Sequence, residues 1–413
     1  MPLDAAACDR LDEAPGPWAA WRSRLAGGEP GTLYLDANSI GPMPVDVPQR
    51  LQALLDGGWR KARRRGWTAL NWLDQPRALG AALAPLIGAA PDDVRVADST
   101  SVNQYKLLRH ALAAAAPRRV IVLEREVFPS NRYVAEGLAQ AGLADLRFVN
   151  DAASGLAEAL APGDVAVVAL SHVDYRSSTR LDMAALTAQA HAGGALALWD
   201  LSHSAGAVAV HLRHCEADLA VGCGYKYLCG GPGAPAFLYV HPRLQQAAWP
   251  AIAGWMGHAD TFAFAAGYRP APGPDRWLAG TPAVLANTAF EAAAAIWQDV
   301  DPAMLDARHR SLTDTLVQLL DEQCGGFGLA LASPREHARR GGHVALRFEG
   351  AAPLAQALAE QGVVVSARRP DALRLGVHPL ATTHADLWLA VQRLQRVLKD
   401  GTWQAPRFAG PAI

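Results

Sequence analysis

Cysteine is scarce in this chain: five in 413 residues, at Cys8, Cys215, Cys223, Cys229 and Cys324. The number is odd and the spacing unpaired, which excludes a disulfide framework. Cys223 and Cys229 have no second Cys/His pair to complete four ligands, so no metal site is expected. Long apolar runs are missing as well. None approaches the roughly 20 residues of a membrane span. The opening stretch MPLDAAACDRLDEAPGPW carries acids early and lacks the apolar centre of a secretion signal. An excess of one charge is also absent. The formal net charge is −1, from 38 Lys+Arg against 39 Asp+Glu, which argues against nucleic acid as a partner. RKARRR at 60–65 is the one dense basic run. It reads as a solvated helix face, with a basic rim to an anionic site as the alternative. The expectation is a cytoplasmic protein without a membrane or nucleic-acid partner.

Hydrophobic residues make up 51% of the chain, and 413 residues exceed one compact core. From about residue 94, short apolar runs alternate with helical ones. VRVAD (94–98), RVIVLE (119–124), LRFVN (146–150), VAVVALS (165–171), ALALWD (195–200), ADLAVG (217–222) and AFLYVH (236–241) read as strands. That rhythm predicts an α/β fold, a mostly parallel sheet sandwiched by helices. Helical texture is expected from Val47 to about Ala90, with long helices from Pro282 to Val300 and Met304 to Gln323. The tail changes character: HVALRFE (343–349), VVVSAR (363–368) and ALRLGV (372–377), then a last helix to about Leu398. It predicts a small α+β C-terminal domain. The expected division is an N-terminal arm at 1–45, a large domain at 46–300 and the small domain at 301–413.

In open α/β sheets ligands sit beyond the C-terminal strand ends. The polar groups there are DSTS (98–101), FPSN (128–131), SHVDY (171–175), WDLSHSAG (199–206) and GYKY (224–227). Hydroxyls and N–H groups at a helix start can cradle phosphate, although Ser/Thr also caps helices routinely. A strand-end acid, Asp200, can merely cap a helix, and a loop lysine is ordinarily solvated. Lys226 differs because CGYKYLCGGPGAP (223–235) surrounds it with glycine and proline. An amine in an apolar turn loses the solvation of its charged form and becomes a nucleophile. Phosphate cradle, strand-end acid and later lysine together are the kit for pyridoxal 5′-phosphate.

WDLSHSAGA…ADLAVGCGYKYLCGGPGAPAFLYV resembles kynureninase, a fold-type I pyridoxal-phosphate enzyme of the class V aminotransferase group. YLDANSIGPMP (34–44), GWMGH (254–258), LAGTPAVLA (278–286) and LRLGVHPL (373–380) agree in order. The resemblance implies a hydrolase of tryptophan catabolism. It would cleave the Cβ–Cγ bond of L-kynurenine, or 3-hydroxykynurenine, to anthranilate, or 3-hydroxyanthranilate, and L-alanine. It implies that Lys226 bonds the cofactor aldehyde, Asp200 holds the pyridine nitrogen and His203 lies against the ring. Thr100, Ser101 and Tyr225 would bind phosphate, Phe128 would stack on the ring, and Asn131, Ser171 and Asp174 would lie near it. Tyr225 would also relay a proton. Trp255 and Thr281 would arrive from the second subunit of a homodimer. Arg374 would clamp the substrate carboxylate, with Ser39 and Gly41 on the substrate side, and Trp67 and Trp72 could wall an aromatic pocket.

The chain departs from the family pattern in places. Asn131 stands for the usual acid of the FPS motif and Asp174 for an asparagine, which predicts an exchange of one carboxylate with both residues beside the cofactor. Met256, His378 and Ala381 replace residues of other size, so another β-acyl-alanine substrate is the alternative. A cysteine desulfurase or C–S lyase of the same fold is a further one, but it needs a mobile nucleophilic cysteine. The only cysteine of the expected small domain, Cys324, follows a long helix. An aminotransferase fits the lysine block less well. A cofactor-binding regulator would add a basic recognition helix, and a Rossmann dehydrogenase a G-x-G-x-x-G turn; neither motif is found.

Overall fold

A computed structural model describes residues 3–409. In chain order its strands are β1 (Leu33–Tyr34), β2 (Val94–Val96), β3 (Val120–Glu124), β4 (Asp145–Val149), β5 (Val165–Ser171), β6 (Leu196–Asp200), β7 (Leu219–Gly222) and β8 (Phe237–Val240). They continue as β9 (Ala330–Leu331), β10 (His343–Arg347), β11 (Val363–Val364), β12 (Ser366–Arg368) and β13 (Ala372–Gly376). Seven form one sheet in the order β2-β8-β7-β6-β5-β3-β4. The block β4-β3-β5-β6-β7 is parallel, and β8 runs antiparallel to both β7 and β2. A mostly parallel α/β sheet is therefore present, with its antiparallel part at one edge.

The strand sequences explain the layering. β5 is buried at every position from Val165 to Leu170, as a strand covered on both faces must be. Alternate residues separate into two cores. Val168, Leu170, Trp199 and Ala220 join one, whereas Val167, Ala169, Leu198 and Val221 join the other. Each buried aliphatic side chain contributes roughly 1.5–3 kcal/mol. Helices Thr100–Ala114, Ala152–Leu160 and Met183–Ala192 start on the capping side chains of Ser99, Asp151 and Asp182.

The second sheet is antiparallel, β12-β13-β10-β9. Its core draws on the helices Pro302–Cys324, Ala351–Glu360 and His384–Lys399. The helix Pro302–Cys324 begins in the large core at Leu305 and continues in the small one from Leu312. The N-terminal segment is shared too: Trp21 and Leu25 pack in the large core, Cys8, Leu33 and Leu35 in the small one. β1 pairs in parallel with β11. The stretch 363–368, expected as one strand, breaks at Val365 because its halves join different sheets. The expected helical region after Val47 is a chain of short pieces, with a π-helical turn over Leu54–Ala62 at the Gly57–Gly58 pair.

Candidate active site

The C-terminal ends of β5 and β6, the start of the helix Thr100–Ala114 and the loop after β7 meet in one cleft of about 140 Å3. Thr100, Ser101, Phe128, Asn131, Ser171, Asp200, His203, Tyr225 and Lys226 all line it. The sheet explains the convergence, since parallel strands deliver their ends to one rim.

Lys226 is 9% exposed, and its Nζ donates to His203 Nε2 at 2.9 Å. Burial, aided by the Lys226 charge, holds the His203 imidazole well below its usual range, so the ring is neutral and accepts. The lysine amine stands 5.7 Å from the centroid of the Phe128 ring, and Phe128 is braced edge-on by Tyr175 at 5.2 Å. Asp200 ends β6 in the same cleft. Its Oδ2 accepts from Asn131 Nδ2 at 2.8 Å and its Oδ1 from the Ser202 N–H at 2.9 Å. The helix at Thr100 exposes N–H groups that have no intrahelical acceptor. Ser99 Oγ takes the Val102 N–H, and Thr100 and Ser101 line the cleft at this helix start. Asp98 of the DSTS stretch is occupied by Lys106, whose fully buried amine also donates to the Trp277 carbonyl at 2.6 Å. The donor set suits an aromatic aldehyde phosphate: an amine, a carboxylate, an aromatic face and an anion-seeking helix start in one recess.

The loop carrying Lys226 is fixed carbonyl by carbonyl. Gly41 N–H donates to Tyr225 O at 2.8 Å, Cys229 N–H to Lys226 O at 2.9 Å, His378 Nε2 to Tyr227 O at 3.0 Å and Trp297 Nε1 to Leu228 O at 3.1 Å. Gly41 lies so close that a Cβ there would stand 2.1 Å from Lys226 O. It supports the lysine from behind and does not line the cleft.

Arg374 is 1% exposed and lies behind the lining residue Tyr175. It donates to Tyr175 O at 2.7 Å, to Ser366 Oγ at 2.9 Å and to Ser39 Oγ at 3.3 Å. Ser366 sits directly opposite it across β12–β13. Burial and the nearby Arg368 cation lower its guanidinium to about 10. No ion pair forms with it among the described residues, so its charge is available to an incoming anion.

Other expectations land elsewhere. Asp174 is not beside the cleft. In the turn after β5, Val173 and Tyr175 line the cleft with Ser171, and Asp174 does not. Its carboxylate instead accepts from the N–H groups of Arg176 at 3.1 Å and Ser177 at 2.6 Å, tying the following turn. The carboxylate exchange with Asn131 therefore does not occur around one site. Thr281 lines a neighbouring cleft of about 490 Å3 that shares Ser99, Thr100 and Tyr225. Met256 lines that cleft, whereas Trp255 packs against Phe262 at 6.2 Å. Trp67 and Trp72 meet edge-on at 5.3 Å in a separate recess with Arg60, Arg63 and Arg64. Cys324 is buried in the small core, which pushes its thiol up to about 12 and removes it as a mobile nucleophile. A further cavity, of about 1230 Å3, lies between the helices Met183–Ala192 and Pro302–Cys324 and holds none of the expected residues.

Sequence reasoning missed Tyr175 as a brace, Ser366 and Lys106. Ser366 has no local signal, because its role depends on sheet register. Lys106 could have been suspected from its eight-residue offset to Asp98, about two helical turns into an apolar helix.

Comparison with known proteins adds the relationship. The kynureninase C-terminal domain family matches residues 305–394. The kynureninase of Deinococcus radiodurans is 44% identical over 404 residues, covering 96% of this chain and 97% of its own. That of Pseudomonas fluorescens is 42% identical over 92% of each, and that of Burkholderia mallei 40% identical over 98% and 97%. Among solved structures, a cysteine desulfurase from Escherichia coli superposes with a TM-score of 0.77 at 20% identity, over 94% of this chain and 99% of that one. A cystine C–S lyase carrying glycine covalently linked to its pyridoxal-phosphate cofactor gives 0.73 at 18% identity, over 92% and 99%. At such identities these two speak to the fold alone.

Proposed function

Since the chain belongs to the kynureninase family, we propose that it hydrolyses the Cβ–Cγ bond of L-kynurenine, or 3-hydroxykynurenine, with pyridoxal 5′-phosphate as cofactor. The products are anthranilate, or its 3-hydroxy form, and L-alanine. One observation carries this reading: Lys226 and Asp200 line one recess with the open N-terminus of the helix Thr100–Ala114.

Pyridoxal phosphate, when bound, supplies an electron sink for the pair left at the substrate Cα and later at the breaking Cβ–Cγ bond. The chain's own groups do the rest. Thr100 and Ser101 would hold the phosphate on their N–H groups and hydroxyls, with Tyr225, which lines the same cleft. Asp200, oriented by Asn131 and the Ser202 N–H, would keep a proton on the pyridine nitrogen by its negative charge. His203 and Phe128 bound the ring's position. Lys226 would anchor the cofactor and, when free, move the α-proton; its fixed loop limits where Nζ can travel. Tyr225 gives and takes a proton at the substrate carbonyl. Arg374 receives the substrate carboxylate as Ser39 and Tyr175 give way. We further propose a homodimer in which Trp255 and Thr281 of the second copy complete the phosphate site. Its surface would include Trp249, Phe262 and Phe264, which are 61%, 51% and 80% exposed.

The test is turnover of L-kynurenine and 3-hydroxykynurenine by the purified holoenzyme. Anthranilate fluorescence with stoichiometric alanine is expected. No product from either substrate, or sulfide released from cysteine instead, contradicts the reading.

A further inference from the structure

Behind Lys226 the interior is unusually rich in imidazole. His203 touches the lysine, and the ring of His343 lies 5.7 Å from that of His203, centroid to centroid. His343 starts β10. His309, on the helix Pro302–Cys324, lies against the carbonyl of Gly341, two residues before His343. His309 is followed by His337, with ring centroids 6.1 Å apart. His337 Nε2 pairs with Asp306 at 3.3 Å, and both line the cavity of about 1230 Å3.

These rings are poorly satisfied by protein. His203 Nδ1, His337 Nδ1 and at least one nitrogen each of His343 and His309 lack a well-formed hydrogen bond among the described residues. His343 has only the Arg176 carbonyl, and His309 only the Gly341 carbonyl, against one nitrogen each. His343 and His309 are fully buried. Orphaned polar nitrogens are costly in a core. A row of them joining the reactive lysine to an open cavity calls for a function beyond packing.

The proposed reaction supplies one. Resting on the kynurenine-hydrolase reading, its balance is as follows. Water gives its hydroxyl to the acyl carbon and one hydrogen to the carbon that becomes the alanine methyl. The carboxylic acid so formed ionises at neutral pH. One proton is released per turnover, from a recess whose floor, Lys226, is almost sealed. We propose that His203, His343, His309 and His337 form a proton path from Lys226 to the cavity bounded by Asp306 and His337. Each imidazole takes a proton on one nitrogen while giving one from the other, with ordered water bridging where rings do not touch. No ring keeps a charge and no redox partner is needed. The charged groups facing the row are Lys226, Arg368 and Arg374 at its inner end and Arg340 and Asp306 at its outer end. Burial keeps His203 and His343 neutral at rest, and the inward cations discourage a proton from lodging there.

The test uses the holoenzyme in a stopped-flow pH jump, read at the cofactor absorbance that follows protonation of its link to Lys226. His309→Leu breaks the row inside, and His337→Ala removes its outer member. Both are expected to slow the relaxation about tenfold or more while leaving the initial and final spectra unchanged. Added imidazole, which can enter the outer cavity, is expected to restore His337→Ala but not His309→Leu. Relaxation as fast as wild type in either variant overturns the path. So does a slowing of His337→Ala that imidazole does not relieve. Should His309→Leu fail to fold, His337→Ala with imidazole still decides. Because the jump needs no substrate, it stands apart from turnover. Absent anthranilate would defeat the functional reading, whereas unchanged relaxation would defeat the row.

Discussion

At the scale of single residues, the tightest coupling in the recess is between Asn131 and Asp200. In the proposed role at the pyridine nitrogen the Asp200 carboxylate has to be held in one orientation, and Asn131 Nδ2 at 2.8 Å does so from the helix after β3. A hydrogen bond to a buried charge is worth about 1.5–3 kcal/mol. Asn131→Ala is therefore expected to lower cofactor affinity about 10- to 100-fold, measured by titrating the apoprotein with pyridoxal phosphate. An effect under about twofold would mean that the bond is incidental to cofactor binding. Asp174, by contrast, spends its carboxylate on the backbone of its own turn. Asp174→Asn is expected to leave cofactor affinity unchanged, and a loss of about tenfold would return Asp174 to the site.

At the scale of elements, the Lys226 loop is where separate parts of the chain are bolted together. The N-terminal segment contributes Gly41, the small domain His378 and the helix Val284–Trp297 its terminal tryptophan. Gly41→Ala forces a Cβ to within 2.1 Å of the Lys226 carbonyl, a backbone group that can yield only by moving the lysine. Loss of cofactor affinity of about tenfold or more is expected from strain of roughly 1–3 kcal/mol. A variant that binds as wild type would show that the loop is not held from that side. His378→Ala strips a donor from the buried Tyr227 carbonyl, at a cost of about 1–3 kcal/mol in urea unfolding. The sequence made His378 look like a pocket residue. Nothing local could reveal that it lies under the lysine loop, because that contact joins positions 149 and 151 residues apart.

What was legible follows the same division. The strands of the large sheet could be read because each carries its own apolar run between turn residues, and Lys226 because glycines and prolines mark its turn. The small sheet's register, which sets Ser366 against Arg374, could not be read. Nor could the turn that keeps Asp174 out of the recess, since it depends on where β5 ends. The histidine row was illegible for a further reason: His203, His343 and His309 come from a loop, a strand and a helix, and only the docking of two domains brings them together.

At the scale of the whole molecule, buried histidines tie stability to pH. Burial lowers His110 and His378 to about 4, and His172 and His309 to about 3. Between those values and the unfolded value near 6.5 the unfolded chain binds more protons than the folded one. Their contribution is complete above about pH 6.5 and is lost as pH falls, by up to about 1.4 kcal/mol per pH unit for each ring. Urea midpoints are expected to fall steeply between about pH 6.5 and 4.5, and a flat profile would contradict the burial of these rings. The most direct test, however, falls on the amine of Lys226. The holoenzyme is reduced with borohydride, digested and mapped by mass spectrometry. A single phosphopyridoxyl adduct on Lys226 is the expected result; an adduct on another lysine, or none, would contradict it.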